Sequence, residues 1–176
     1  MTYYDIIERF FLAAQAHYMI EDVGYGPISD IKSRSRTSKH YVDDEGETNN
    51  PDYPYMFLNP GTHTRTGAMV TYTFNLIMMD LAWEEVPDPD NDSVTAPSVV
   101  RYTNELQIQS QCQQYIDDII SHLYYEAPSN FKAEISFDVT YTPFVERFQD
   151  SVAGMTANIK IQVPQPIDRC VAPFIA

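Results

Sequence analysis

The run Ala133-Glu134-Ile135-Ser136-Phe137-Asp138-Val139-Thr140-Tyr141 alternates apolar and polar residues without a break. That is the period of a strand with one buried and one solvated face, and it puts Phe137 on the core side. A short link leads to a second alternating strand, through Val152-Ala153-Gly154-Met155 and on to Ile159-Lys160-Ile161-Gln162-Val163. Gly154, inside that strand, signals a bulge or a close backbone approach.

An amphipathic helix, at about 103–125, precedes this pair. Its apolar stripe holds Leu106, Cys112, Tyr115, Ile116, Ile119 and Leu123, with Gln109, Gln111, Gln113 and Asp117 off it, and Pro128 and Ser129 are expected to stop it. Further upstream, the longest strand spans roughly 67–83. Val70, Tyr72, Phe74 and Leu76 point one way, and Thr71, Thr73 and Asn75 the other. The second face turns apolar at Ile77 and Met79, so this half of the strand is covered on both sides, by another element or by another subunit. Tyr55-Met56-Phe57-Leu58 reads as a short buried strand ended by Asn59-Pro60-Gly61, with a polar loop after it.

The chain starts with a helix over about 3–18. Thr2 and Asp5 stand at capping-box separation, and Ile6, Ile7, Phe10, Phe11 and Ala14 recur at helical spacing. Residues 20–53 are the least regular, with β-like pieces around 28–33 and 38–42 and an acidic turn, Asp43-Asp44-Glu45-Gly46-Glu47. The expected fold is therefore α+β: an antiparallel sheet of about four strands with two amphipathic helices packed on one face, plus extended loops. Residues 1–176 form a single domain, with an extended loop or hairpin insertion at 20–53 and a proline-rich C-terminal tail at 164–176.

With 25 acidic against 11 basic residues, the formal net charge is −14. Such a balance argues against wrapping nucleic acid, whose phosphates need a basic face, and against docking on an anionic membrane. The longest apolar run, Leu76-Ile77-Met78-Met79, is interrupted by Asp80 and is too short to span a bilayer. No signal peptide is read at the N-terminus, and a cytosolic product is expected. Cys112 and Cys170 fit no metal or redox spacing, and Cys112 reads as a reduced core residue.

Asp88, Asp90 and Asp92 begin like a calcium loop. The pattern then fails, because Ser93 stands where the turn needs glycine and Val99 where the ion needs glutamate. His17, His40, His63 and His122 are scattered singly, without ligand spacing. No nucleophile elbow or glycine-rich phosphate loop is present. Asp117 and Asp118 are neighbours on a helix surface and do not converge on one point. No enzyme activity, cofactor or metal is expected.

Four of the 11 basic residues, Lys32, Arg34, Arg36 and Lys39, fall within eight positions. They form either a solvated loop or one side of a contact between copies, with the acidic loop carrying Asp88, Asp90 and Asp92 on the other. Together with the doubly apolar Ile77 and Met79, these are the candidate subunit-interface residues.

The helix through Ile6–Ala14, the strand Val70–Leu76, the helix Leu106–Leu123 and the hairpin carrying Asp150-Ser151-Val152-Ala153-Gly154-Met155 follow one another in an order that resembles the tail-terminator and tail-completion proteins of long-tailed bacteriophages, of the lambda minor-tail type. The likeness covers roughly residues 1–163 in element order, and the 20–53 insertion and the proline-rich tail depart from it. It implies a structural virion protein, made in the host cytoplasm, that forms a homo-hexameric ring. The ring would end the tail tube and join it to the neck, touching tail-tube, sheath or neck proteins. The loops 29–50 and 59–67 would reach the next subunit or tube and neck proteins, and DNA would pass the lumen without specific binding. A head–tail connector, neck adaptor or baseplate subunit is the nearest alternative. From other classes come a monomeric binding module and a metal-dependent enzyme using His17, His122 and the acidic loops.

Overall fold

Thr2 opens the first helix, α1 (Tyr3–Ala16), with both halves of the expected capping box. The Asp5 amide donates to Thr2 Oγ1 at 3.2 Å and the Thr2 amide donates to Asp5 Oδ2 at 2.7 Å, satisfying two of the donors a helix start leaves open. The computed structural model of the chain describes residues 2–31, 52–82, 104–130, 134–136, 138–147 and 151–165. After α1 come β1 (Asp22–Tyr25), a 3₁₀ turn at Ile28–Asp30, β2 (Tyr55–Thr66), β3 (Met69–Leu81), α2 (Glu105–Asn130), β4 (Glu134–Ile135), β5 (Thr140–Arg147) and β6 (Ser151–Pro164).

The fold is α+β with two helices, and its sheet is larger than expected, six strands in place of about four. It is also mixed. The order is β1-β2-β3-β6-β4, with β5 lying beside β6 as well. β1 pairs in parallel with β2, and the other pairings are antiparallel. Because β3 and β4 both run antiparallel to β6, they are parallel to each other with β6 inserted between them. α2 makes the crossover from one to the other, a split β-α-β arrangement. That connection lays α2 across β3 and β6.

Side chains from α1 (Ile6, Phe10, Ala13, Ala14) and α2 (Ile108, Cys112, Ile116, Ile119, Leu123) meet Phe74, Leu76, Met78, Ile159 and Ile161 in one buried cluster. The α2 stripe differs from the expected one at its start. Ile108 is buried and Leu106 is 80 % exposed, because Leu106 precedes Cys112 by six residues, roughly 240° around a helix of 3.6 residues per turn. Nor does Pro128 stop α2, which runs on to Asn130. So near the helix end, its missing N–H removes one of the last bonds of the ladder.

Three strand readings change. Asn59-Pro60-Gly61 does not end β2, which continues to Thr66 with a register shift between Pro60 and His63. The shift admits one extra residue, so His63 comes to face Tyr72 on the helix-covered side. Pro60 is tolerated because β1 stops opposite Leu58, leaving that side of β2 an open edge. The span 59–67 is thus the outer half of a hairpin and not a loop. The alternating run at 133–141 is two strands on β6: Ile135 faces Ile161 but Thr140 faces Asn158, so five steps of chain oppose three. Phe137 lies outside the described residues. In the 20–53 region, the piece near 28–33 is a 3₁₀ turn, the parallel strand β1 precedes it, and 38–42 lies outside the described residues.

The sheet face away from the helices is divided. At one end Tyr55, Phe57, Ile77 and Met79 are buried, packed by Ile31, Tyr53 and Phe144. In the middle a chain of amides crosses the strands. Asn158 Nδ2 donates to Asn75 Oδ1 at 2.8 Å, Asn75 Nδ2 donates to Asn59 Oδ1 at 3.2 Å, and Asn59 Nδ2 donates to the Gly26 carbonyl at 3.1 Å. Beyond it the paired residues are polar, Thr73 with Lys160 and Thr71 with Gln162. The hairpin tip, residues 62–68, is exposed throughout.

Candidate functional site

Asp117, Ile120, Ser121 and Tyr124 recur at three- and four-residue spacing on α2, so they form one strip beside its buried stripe. The start of β5 comes up against that strip. Between them lies a groove of about 430 Å³, with Asp117, Ile120, Ser121, Tyr124 and Tyr125 on the helix side and Val139 and Tyr141 opposite.

The Tyr141 hydroxyl donates to Asp117 Oδ1 and ties the two walls together. Burial lifts the Tyr141 phenol well above its ordinary value, and the bond to Asp117 and its charge add to the shift. Ile120 is buried at the base, and Tyr124 and Tyr125 are exposed at the rim. Their rings stand nearly at right angles, 79° apart with centroids 5.5 Å from each other. The groove therefore offers aromatic faces, a hydroxyl and a carboxylate, which is recognition chemistry.

Asp118, next along the helix, is turned elsewhere. Its Oδ2 lies 3.4 Å from His17 Nε2 at the end of α1, and its Oδ1 accepts from Gln114 at 3.1 Å. The two neighbouring carboxylates thus serve different contacts, one toward β5 and one toward α1. His63 packs against Tyr3 and Tyr72, and His122 is exposed on α2. Among the described residues no three His, Cys, Asp or Glu side chains come together as a metal site. No described helix is long and apolar enough to cross a membrane.

Of the candidate interface residues, Lys32, Arg34, Arg36 and Lys39 lie outside the described residues, as do Asp88, Asp90 and Asp92. His40 and Cys170 are outside them too. Ile77 and Met79 are 6 % and 3 % exposed. The cover left open between another element and another subunit is provided by elements of the same chain, Phe144 of β5 with Ile31 and Tyr53.

No protein-family model matches this chain, and no characterised protein matches it in sequence. The groove was not read from the sequence. Its signal was the strip Asp117, Ile120, Ser121, Tyr124, and the missing piece was the partner wall, since nothing local says that Tyr141 reaches Asp117.

Proposed function

We propose that this chain is a structural subunit of a tailed-phage virion, one of the copies that close into a homo-hexameric ring ending the tail tube and joining it to the neck. The observation that carries this reading is the division of the sheet's second face. One end is sealed by the chain's own apolar residues, while the long β3–β6 pair continues past the amide chain as a polar surface through Thr71, Thr73, Lys160 and Gln162, with Glu134 of β4 beside Gln162 at its edge. In a chain of net charge −14, a polar face that presents Lys160 is a place where a neighbouring acidic copy can lie with less repulsion than elsewhere. Contacts between unlike surfaces of identical subunits close into rings when their rotation permits.

The exposed β2–β3 tip extends the same surface toward a tail-tube, sheath or neck protein. The acidic balance suits a lumen that duplex DNA passes without binding. Localisation in the virion follows from this role. Negative-stain electron microscopy of the full chain, alone at high concentration and with the tail-tube protein of the same virion, tests the reading. Six-fold rings with an open centre are expected. Single small particles under both conditions would overturn it.

A further inference from the structure

We infer that the groove between α2 and β5 receives a guanidinium or ammonium side chain from residues 32–39 of a second copy of this chain. The second copy rests on the ring reading, and the groove chemistry is independent of it. Three observations converge on a cationic occupant. Tyr124 and Tyr125 stand edge to face at 79° and remain 41 % and 78 % exposed, so ring surface is open at the rim of the groove. Cations are drawn to such faces by the negative potential of the ring. Asp117 stands in the same groove, and its bond to Tyr141 engages Oδ1 and leaves Oδ2 outside that bond. A planar guanidinium can lie on a tyrosine face while donating to that carboxylate. The volume, about 430 Å³, falls within the range of clefts that hold small organic groups.

The chain itself holds a matching segment. Lys32-Ser33-Arg34-Ser35-Arg36-Thr37-Ser38-Lys39 carries four of the 11 basic residues and no acidic one. Small hydroxyl residues separate its cations, so each long side chain can enter a cleft without a bulky neighbour. The flanks of this segment also favour a neighbour's groove over its own. Ile31 on one side and Tyr53 on the other pack on the Tyr55, Phe57, Ile77, Met79 cluster. That cluster is on the face of the sheet opposite α2, so the described residues on either side of the segment stand on the side away from their own groove.

The test uses the full chain with Arg34→Glu and Arg36→Glu, which removes its own arginines, and a synthetic peptide of residues 31–40. Aromatic carbon–proton NMR follows the Tyr124, Tyr125 and Tyr141 rings during titration. Saturable shifts of these rings are expected, with affinity falling about tenfold on Tyr125→Ala or Asp117→Asn, the loss of one cation contact. Unchanged melting of the Tyr125→Ala protein keeps the comparison clean, because that ring is 78 % exposed. No shift of the three rings at millimolar peptide would overturn the inference, as would binding indifferent to both substitutions. Rings in the microscope that persist in the Tyr125→Ala, Asp117→Asn double variant would also sink the groove contact while leaving the ring reading intact. Peptide binding as described, with no rings under any condition, would leave the groove standing and remove the ring.

Discussion

The ring of Phe144 lies against Gly154 across the β5–β6 pair, where a Cβ on residue 154 would sit 2.7 Å from Phe144 Cζ. The same Cβ would sit 2.1 Å from the Met78 carbonyl oxygen and 3.0 Å from Met79 Cα on the other side. Position 154 is thus pinched between a neighbouring backbone and an aromatic ring that seals the second apolar cluster. Glycine is required there for space and not for its backbone freedom.

Gly154→Ala should therefore cost about 1–3 kcal/mol, as overpacking in a closed core does. Urea denaturation measures it. Because the closest atom belongs to the backbone of β3, truncating the ring should not relieve the clash. In a Phe144→Ala background the alanine at 154 should still carry most of its cost. Full recovery in the double variant would mean that the ring, and not β3, sets the limit.

The amide chain through Asn59, Asn75 and Asn158 makes a second prediction. Asn75 is its centre, accepting from one neighbour and donating to the other. Asn75→Ala leaves Asn59, a buried polar residue, without its donor. A loss of about 1–3 kcal/mol is expected, the cost of stranding a buried polar group. Thr73→Ala, one step further into the open half of the same face, should stay within about 0.5 kcal/mol. Equal losses at the two sites would show that the open half is as tightly packed as the amide chain.

What could be read without coordinates was what depends on neighbours in sequence. The Thr2–Asp5 capping box, the spacing of Ile6 and Phe10, and the alternation of Val70, Tyr72, Phe74 and Leu76 all declare their structure locally. Gly154 left a bulge, a close approach or a bend open, and the packing of Met78 and Phe144 around it decides for the close approach. What escaped depends on distant pairing. β1 has four residues, too few to show a period, and its parallel partner lies some thirty residues on. Pro60 looked like a terminator because nothing nearby reveals that β1 has already ended opposite Leu58. The extra residue before His63 and the mismatch between Ile135 and Thr140 each shift a register that only the partner strand defines. The candidate site was hidden in the same way. Asp117 was legible as an off-stripe helix residue, and its tie to Tyr141 was not.

Asp80 gives a pH-dependent prediction. It sits half-buried on β3, and burial raises its carboxyl pKa above the ordinary 3.8 despite the bond from the Leu81 amide. Below 3.8 the group is protonated in both folded and unfolded chains, and it costs nothing. As pH rises through the folded pKa the carboxylate ionises at a penalty that the unfolded chain escapes, so stability falls. Asp80→Asn keeps an oxygen for the Leu81 N–H and cannot ionise. It should raise the melting temperature at pH 7 and leave it unchanged at pH 3. A gain of equal size at both values would show that the charge is not its source.

Cys112 lies in the same electrostatic neighbourhood and supports a kinetic test. Burial between α2 and the sheet pushes its thiol up to about 12, with the Asp80 charge adding to the shift. The thiolate is the reactive form, so at pH 8 a folded chain should present almost none of it. In a Cys170→Ser background, Cys112 should react with an aromatic disulfide reagent only as fast as the protein opens. The rate should climb with urea along the slope for global unfolding. A fast, urea-independent reaction would mean that α2 lifts from β3 and β6 while the sheet stays intact. Asp80→Asn then separates the two causes: removing the charge should quicken labelling slightly in partly opened states, while the burial of Cys112 keeps the native protein protected.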